Sequence, residues 1–163
     1  MKNVYLIGLM GCGKTTLGKA LAQRLHHKHI DTDDLAEEYF GMPIPQVFKE
    51  RGEDGFRDGE TEVLRKLCKH HNRIVSTGGG IILREENIDL MRKSGTVIWI
   101  KRDPSLIVQN PRIQKRPLLE KDVSAIYPIW EQRKSLYKKA CHFVVYNDDD
   151  KEKTMKELLK IVR

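Results

Sequence analysis

The chain has 163 residues with a formal net charge of +7, and 39% of its residues are hydrophobic. This length fits a single domain over residues 1–163, and the apolar runs fall well short of the ~20 residues that cross a bilayer, which excludes a membrane-spanning protein. Three cysteines lack C-x-x-C spacing and no signal peptide precedes the first apolar run, which favours a cytoplasmic protein without disulfides or zinc. The basic excess accompanies no aromatic interleaving and no nucleic-acid motif, so we interpret it as a field that attracts anionic ligands rather than nucleic acid.

Short apolar runs alternate with helical patterns along the chain. Strands are predicted over residues 3–7, 28–31, 73–77, 96–100 and 142–146. Helices are predicted over residues 14–26, 33–40, 44–50, 55–71, 85–93, 104–109, 122–140 and 150–162. Within 55–71, apolar residues share one face with the charges opposite, and Asp148–Asp150 predicts an N-cap for the last helix. This alternation indicates an α/β fold, with helices on both faces of a parallel sheet and ligands at the carboxyl ends of the strands.

The first predicted strand leads directly into the motif G-x-x-x-x-G-K-T at residues 8–15, and a helical pattern follows. Its glycines let backbone N–H groups approach phosphate oxygens, and the N-terminus of the helix adds positive charge. In this motif Lys14 reaches the β- and γ-phosphates, and the Thr15 hydroxyl holds Mg²⁺. The alternative is a glycine-rich turn with a chance lysine. We predict a nucleotide-phosphate site that includes Gly11, Cys12, Gly13, Lys14, Thr15 and Thr16.

The second predicted strand ends in three carboxylates beside the phosphate loop, Asp31, Asp33 and Asp34. We expect Asp31 to support Mg²⁺ through a water molecule and Asp33 to accept or orient the proton of an acceptor hydroxyl. Asp33 or Asp34 can also cap the helix that follows. Three aspartates within four residues repel one another unless a cation lies near, which favours the functional interpretation.

Three further places carry candidate ligand-binding residues. The run Gly78–Gly80 follows the third strand and indicates either close approach of a small ligand or tight loop packing. Arg57 stands near the start of a helix, where the dipole disfavours a cation, so we expect it to have an anionic partner. Arg133 lies within a predicted helix and, taken alone, fits a solvated position as well as a binding role.

Residues 109–119 form a polar, basic segment that contains Pro111 and Pro117, and these prolines disfavour regular helix. In a phosphoryl-transfer enzyme such a segment is a candidate lid that excludes water and brings Arg116 onto the γ-phosphate. The alternative is an ordinary surface loop. Cys12, inside the phosphate loop, is either a reactive thiol at a helix N-terminus or a small filler of the loop, and we favour the filler.

Together these motifs closely resemble the shikimate kinase family over essentially the whole chain. The shared motifs are G-x-x-G-x-G-K-[ST] at 8–15, D-x-D at 31–33, G-E-x-x-F-R at 52–57, G-G-G at 78–80, R-P-L-L at 116–119 and R-x-x-L-Y at 133–137. The resemblance implies a P-loop kinase fold like that of nucleoside-monophosphate kinases, with three α/β/α layers, a five-stranded parallel sheet and a mobile lid at about residues 110–120. It also implies ATP- and Mg²⁺-dependent phosphorylation of the 3-hydroxyl of shikimate. We expect a monomer.

The resemblance also implies a role for each matching residue. Asp33 binds the reacting hydroxyl, and Arg57 and Arg133 hold the carboxylate of the substrate. The backbone of Gly79 contacts a substrate hydroxyl, and Arg116 moves from the lid to the phosphates. The implied catalytic residues are Lys14, Asp33 and Arg116, and the implied metal-supporting residues are Thr15 and Asp31.

Some positions depart from the family pattern. Family members commonly carry an arginine near Gln109–Asn110 that lies over the adenine, whereas the first arginine in this chain's lid is Arg112. Beyond Tyr137, Lys139 and Cys141 replace an acidic residue and a small alanine, so we expect weaker selectivity for the base. Two alternative functions remain, namely a kinase of the same fold that acts on gluconate or a nucleoside monophosphate, and a non-catalytic nucleotide-dependent binding module.

Overall fold

The predicted apolar runs become the strands of one sheet. A computed structural model describes residues 1–116, 118–120 and 122–163. The strands are β1 (Asn3–Ile7), β2 (Lys28–Asp31), β3 (Arg73–Ser76), β4 (Gly95–Lys101) and β5 (Phe143–Tyr146). The helices are α1 (Lys14–Leu25), α2 (Thr32–Phe40), α3 (Ile44–Leu67), α4 (Glu85–Ser94), α5 (Pro104–Val108), α6 (Ile126–Ala140) and α7 (Lys151–Val162). Within these described residues, no helix is both long and apolar enough to cross a membrane.

The described strands form a five-stranded parallel sheet in the order β2-β3-β1-β4-β5. Every residue of the central strand β1 is buried, because helices cover both faces of the sheet. Val4 and Leu6 pack into one core cluster, whereas Tyr5 belongs to the cluster on the other face. Successive side chains of β1 thus point to the helical layers on opposite faces of the sheet. The predicted three-layer α/β/α architecture is confirmed. The carboxyl ends of β1 and β3 are neighbours, so the loops that follow them meet at one edge.

Most differences from the predicted elements lie at helix ends. The predicted helices 44–50 and 55–71 are the two halves of α3, which is interrupted at Gly52, where φ is 70° and ψ is 178°. The second half ends at Leu67, earlier than predicted, and Asn72 turns the chain into β3 with a left-handed φ of 57°. The last helix begins at the predicted cap, since the carboxylate of Asp150 accepts hydrogen bonds from the next turn.

The segment between α5 and α6 lacks regular α-helix in its described residues, as its prolines predict. Residues 111–115 form a short 3-10 helix, and a second one spans Val123–Ala125 directly before α6, so the helix predicted from 122 begins four residues late. Ile113 and Leu119 are buried in the same core cluster as the phosphate loop, which anchors the segment across that loop. Pro117, from the R-P-L-L motif, lies outside the described residues.

Candidate active site

The phosphate loop between β1 and α1 is packed so closely that two of its positions require glycine. Gly8 has a φ of 148°, and a Cβ there would lie 2.5 Å from the carbonyl oxygen of Ile100. Gly13 has a φ of 104°, and a Cβ there would lie 2.5 Å from Nδ2 of Asn147. That amide donates to the carbonyl oxygen of Cys12 at 2.8 Å. The loop is therefore held from β4 and from the end of β5 in a shape that side chains would prevent.

Cys12 is a filler of this loop. Its side chain is fully buried in the core cluster that includes Leu9 and Leu17. A reactive thiol needs access to solvent as well as a favourable charge environment. Of the two interpretations of Cys12 drawn from the sequence, a reactive thiol and a small filler of the loop, the buried position favours the filler.

The side chains at the start of α1 are held close to the loop and to β2. Nζ of Lys14 donates to the carbonyl oxygens of Gly8 at 2.6 Å and Leu9 at 2.9 Å. The Thr15 hydroxyl donates to Oδ2 of Asp31 at 3.1 Å. Lys14 and Thr15 line a cavity of about 620 Å³ at the carboxyl edge of the sheet. The N-terminus of α1 opens into this cavity, which gives it the partial positive charge that phosphate groups require.

Asp31, rather than Asp33 or Asp34, caps α2, so the capping expected from the sequence is wrong. Asp31 is the last extended residue before the helix, and its Oδ1 accepts from the backbone N–H of Asp33 at 2.9 Å. Its other carboxylate oxygen accepts from Thr15. One side chain thus fixes the start of α2 and contacts the start of α1, and the Asp33 carboxylate is left to face the cavity.

Asp33 lies on the first turn of α2 against the glycine run. A Cβ at Gly78 would lie 2.7 Å from Oδ1 of Asp33, so glycine lets the loop approach this carboxylate. Burial raises the pKa of Asp33, and the negative charge of Asp31 raises it further. The charges of Lys14, Arg116 and Arg57 oppose the shift. A carboxylate with a raised pKa is a stronger proton acceptor than an exposed aspartate.

Arg57 has the anionic partner that its place near a helix start predicts. Its Nη1 donates to Oε1 of Glu60 at 2.8 Å, and the Glu60 side chain is only 1% exposed. A second carboxylate, that of Glu53, lies 3.6 Å from Nε of Arg57. Burial raises the pKa of Glu60, while the charge of Arg57 opposes that shift. The pair places a fixed guanidinium beside the glycine run.

Sequence reasoning missed Glu60, because it assigned all charges of this helix to the solvent side. Glu60 precedes Val63 and Leu64 by three and four residues, so it shares their buried face. The expectation that charges lie opposite the apolar face is therefore wrong at this position. An acidic residue in register with an apolar stripe, three residues after an arginine, is the signal that could have found the pair.

Two arginines contact the glycine run after β3, and at Gly80 the approach requires glycine. A Cβ at Gly80 would collide with the guanidinium of Arg57, and one at Gly79 would lie 3.5 Å from Nη1 of Arg133. Arg133 is 6% exposed, so its position on α6 is buried rather than solvated. Neither arginine lines the cavity itself; Arg133 lies against Gly79, which does line it, and Arg57 lies against the next residue, Gly80. The two arginines come from different helices, α3 and α6, and converge on the side of the loop near Asp33.

Arg116, from the segment between α5 and α6, is exposed and lines the same cavity as Lys14 and Asp33. The part of the wall that lies towards β4 and β5 carries further polar residues that sequence reasoning did not single out. They are Arg102, Asn147 and Lys151, and Arg112, from the segment between α5 and α6, also lines the cavity. Arg102 and Asn147 directly follow β4 and β5, so the rule that ligands bind at carboxyl ends of strands could have identified them.

The oxygen atoms at the start of α1 fit a magnesium ion bound together with phosphates. Mg²⁺ is usually held by one or two carboxylates, phosphate oxygens and water. The Thr15 hydroxyl and the Asp31 carboxylate form such an oxygen pair, 3.1 Å apart. The described residues contain no group of three or more histidine, cysteine, aspartate or glutamate side chains able to hold a metal.

Replacing Tyr137 with phenylalanine should lower the free energy of unfolding by about 0.5–1.5 kcal/mol, the net contribution of a typical hydrogen bond. The Tyr137 hydroxyl donates to the carbonyl oxygen of Gly79 at 2.6 Å, and the ring is fully buried. Urea denaturation measures the change, with Tyr127→Phe as the control, since Tyr127 is on the same helix but 43% exposed. Equal stability of the two variants would show that the hydroxyl does not hold the glycine run.

Known proteins share both the sequence and this geometry. The family model described as shikimate kinase matches residues 10–163. A shikimate kinase from Clostridium botulinum (strain Eklund 17B / Type B) is 38% identical over 163 residues, which cover 99% of this chain and 98% of that protein. One from Neisseria gonorrhoeae is 40% identical over 167 residues, covering 98% of each chain.

Solved structures agree with the sequence relatives. The structure of a shikimate kinase from Acinetobacter baumannii in complex with shikimate matches with a TM-score of 0.92 at 31% identity, covering 99% of this chain and 93% of that one. The shikimate kinase of Aquifex aeolicus matches with a TM-score of 0.84 at 34% identity, covering 97% and 94%. The similarity therefore extends over the sheet, the phosphate loop and the glycine run together.

Proposed function

Because this chain belongs to the shikimate kinase family, we propose that it transfers the γ-phosphoryl group of ATP to the 3-hydroxyl group of shikimate. The chain is a phosphotransferase, and ATP is its phosphoryl donor. Residues 1–163 act as one kinase domain, with the lid at about residues 110–120. A monomeric state and a cytoplasmic location stay predictions from the sequence.

The convergence of two buried arginines on the glycine run supports a substrate with a carboxylate. A guanidinium presents a planar fork of N–H donors that matches the geometry of a carboxylate. Arg57 is paired with Glu60, and its Nε has only the Glu53 carboxylate 3.6 Å away, beyond hydrogen-bond distance. Nε of Arg133 is buried and has no hydrogen-bond partner among the described residues. A buried donor without a partner costs about 1–3 kcal/mol, which a bound carboxylate would offset. This is the observation that carries the proposal.

Asp33 is proposed to receive the hydroxyl that reacts. It lines the phosphate cavity and lies against Gly78, beside the glycines that the arginines contact, so a substrate whose carboxylate is held by Arg57 and Arg133 would place a ring hydroxyl near it. The raised pKa of Asp33 suits it to orient that hydroxyl and to take its proton as the phosphoryl group arrives. The Gly79 backbone offers a further contact to a substrate hydroxyl.

The phosphates are proposed to be held from both sides. Lys14 and the N–H groups from Gly11 to Thr16 contact them from the loop, and Arg116 contacts them from the lid. Thr15 would hold Mg²⁺ and Asp31 would support it through a water molecule, and the ion would neutralise charge on the phosphate oxygens. Phosphoryl transfer asks mainly for positioning and charge neutralisation, so these residues suffice without a nucleophilic side chain.

An acceptor screen tests this proposal directly. ADP release from ATP and Mg²⁺ is measured with shikimate, the methyl ester of shikimate, gluconate and AMP. Turnover is expected with shikimate, and it should be much weaker with the ester, because the ester removes the charge that the arginines bind. Turnover with gluconate or AMP alone would overturn the substrate but keep the kinase. Turnover with none of them, together with salt-dependent nucleic-acid affinity, would support a binding module instead.

A further inference from the structure

A chain of hydrogen bonds connects β2 to the start of α1. Ser76, the last residue of β3, donates its hydroxyl proton to the carbonyl oxygen of Lys14 at 2.9 Å. The same hydroxyl oxygen lies 2.9 Å from Nε2 of His29 in β2. A hydroxyl has one proton and a carbonyl oxygen only accepts, so His29 must donate its Nε2 proton to Ser76. Both the tautomer of the imidazole and the rotation of the hydroxyl are thereby fixed.

The helix lies unusually close to this pair of side chains. A Cβ at Gly18, one turn into α1, would lie 2.5 Å from Oγ of Ser76 and 2.9 Å from Nε2 of His29. Only a glycine allows this approach, and Ser76 is 1% exposed. The contact therefore sets the distance between α1 and the two strands beneath it.

Strand β2 consequently holds two successive residues of α1. Asp31, two residues after His29 and on the same face of the strand, accepts from the hydroxyl of Thr15. The first turn of α1 is thus fixed by two contacts. Asp31 holds the Thr15 hydroxyl directly, and His29 holds the Lys14 carbonyl group through Ser76.

We propose that His29 is a positioning residue for the nucleotide phosphates: through Ser76 it fixes the first turn of α1 and thus where Lys14 and Thr15 meet the phosphates. The inference rests on the proposed use of a nucleotide at this loop. Catalysis of phosphoryl transfer is sensitive to small displacements, because it depends on the alignment of groups around the phosphate. The arginines that face the acceptor are held by α3 and α6 and do not depend on this link.

Two substitutions at one position separate the hydrogen bond from the packing. His29→Leu removes the donor, whereas His29→Gln keeps an N–H near the place of Nε2. For His29→Leu, the Kd for MgADP measured by calorimetry and the KM for ATP should rise about 2- to 10-fold, the range for one hydrogen bond. For His29→Gln both should stay within about twofold of the unmodified protein, and the KM for the acceptor should not change in either variant.

Matched variants complete the test. His142→Leu is the control at another histidine whose ring makes a hydrogen bond, since its Nδ1 accepts from the backbone N–H of Val97 in β4 at 3.0 Å. The Kd for MgADP should be unchanged in this variant. Should His29→Leu fail to fold, Ser76→Ala breaks the same link and should raise the Kd for MgADP. An unchanged Kd in the variants that break the link, an equal loss in His29→Gln, or an equal rise in the acceptor KM would overturn the proposal. Because MgADP binding needs no acceptor, this result is independent of whether shikimate is the substrate.

Discussion

Replacing Arg57 with lysine should lower kcat/KM for shikimate roughly 10- to 100-fold while the protein stays folded. Lysine keeps a positive charge beside the buried carboxylate of Glu60, but it cannot present the paired N–H donors of a guanidinium. Hydrogen bonds to a charged group contribute about 1.5–3 kcal/mol, which corresponds to this loss of rate. The fall should appear mainly as a higher KM for shikimate, because the interaction is present in the ground state as well.

The alanine variant adds a stability effect of its own. Arg57→Ala removes the hydrogen-bonded cation beside Glu60, whose side chain is 1% exposed, so the free energy of unfolding should fall by about 3–5 kcal/mol. Arg84→Ala is the matched control, since Nη1 of Arg84 pairs with Asp58 of the same helix at 2.7 Å but on its exposed side. Removing such a surface pair changes stability by about 1 kcal/mol or less.

Steady-state kinetics and MgADP calorimetry on these three variants decide whether Arg57 binds the acceptor. The Kd for MgADP should be unchanged in all of them, because Arg57 does not line the phosphate cavity. An unaltered KM for shikimate in Arg57→Lys would show that the carboxylate is held elsewhere. A fall in nucleotide affinity of the same size would instead place Arg57 in the phosphate site.

The sheet and the phosphate loop could be predicted because their signals are local. The strand pattern, the glycine spacing at 8–15 and the apolar stripe of the next helix follow one another directly in the sequence. The backbone geometry and the burial that these patterns report are also set by residues a few positions apart. The break in α3 at Gly52 was likewise predictable, since two separate helices had been expected there. Helix ends were less accurate, because turns such as the one at Asn72 depend on where the next strand lies.

The substrate side of the site could be predicted only in part, because it is made by contacts between distant elements. The partner of Arg57 lies on its own helix, but the burial of that pair depends on the packing of α3 against the glycine run. The role of Asp31 as a cap depends on where β2 ends relative to α2. The position of Arg133 stayed open between solvent and a binding role because the adjacent residues are polar, whereas in the fold it lies against Gly79, from the loop after β3. These relations exist only after the sheet has brought the elements together.

Replacing Asp33 with asparagine should lower kcat for shikimate about 10²- to 10⁴-fold, the range for a positioned general base. Asparagine has nearly the same shape but cannot accept the proton of the hydroxyl, so the KM for ATP should change little. Glu38→Gln, an exposed substitution on the same helix, is the control and should leave kcat unchanged. A kcat for Asp33→Asn within tenfold of the unmodified protein would restrict Asp33 to orienting the hydroxyl.

The same substitution should make the protein more stable at neutral pH. Burial and the charge of Asp31 raise the pKa of Asp33 in the folded state, so ionisation of this carboxyl disfavours folding. Its contribution to stability is therefore fully present below the unfolded-state pKa and is lost as the pH rises through the folded-state pKa. Asp33→Asn avoids that loss, so its Tm should exceed that of the unmodified protein at neutral pH, and the difference should shrink in acid.

This pH dependence connects the stability of the site to its chemistry. The unmodified enzyme needs the ionised carboxylate, so kcat/KM for shikimate should fall as the pH drops through the same raised pKa, and Asp33→Asn should lose this acidic limb. Thermal melts and rate profiles over one pH series test both effects together. If Asp33→Asn is no more stable at neutral pH, the cations Lys14, Arg116 and Arg57 outweigh burial at this carboxyl. Asp33 would then have the pKa of an ordinary ion-paired aspartate and little advantage as a base.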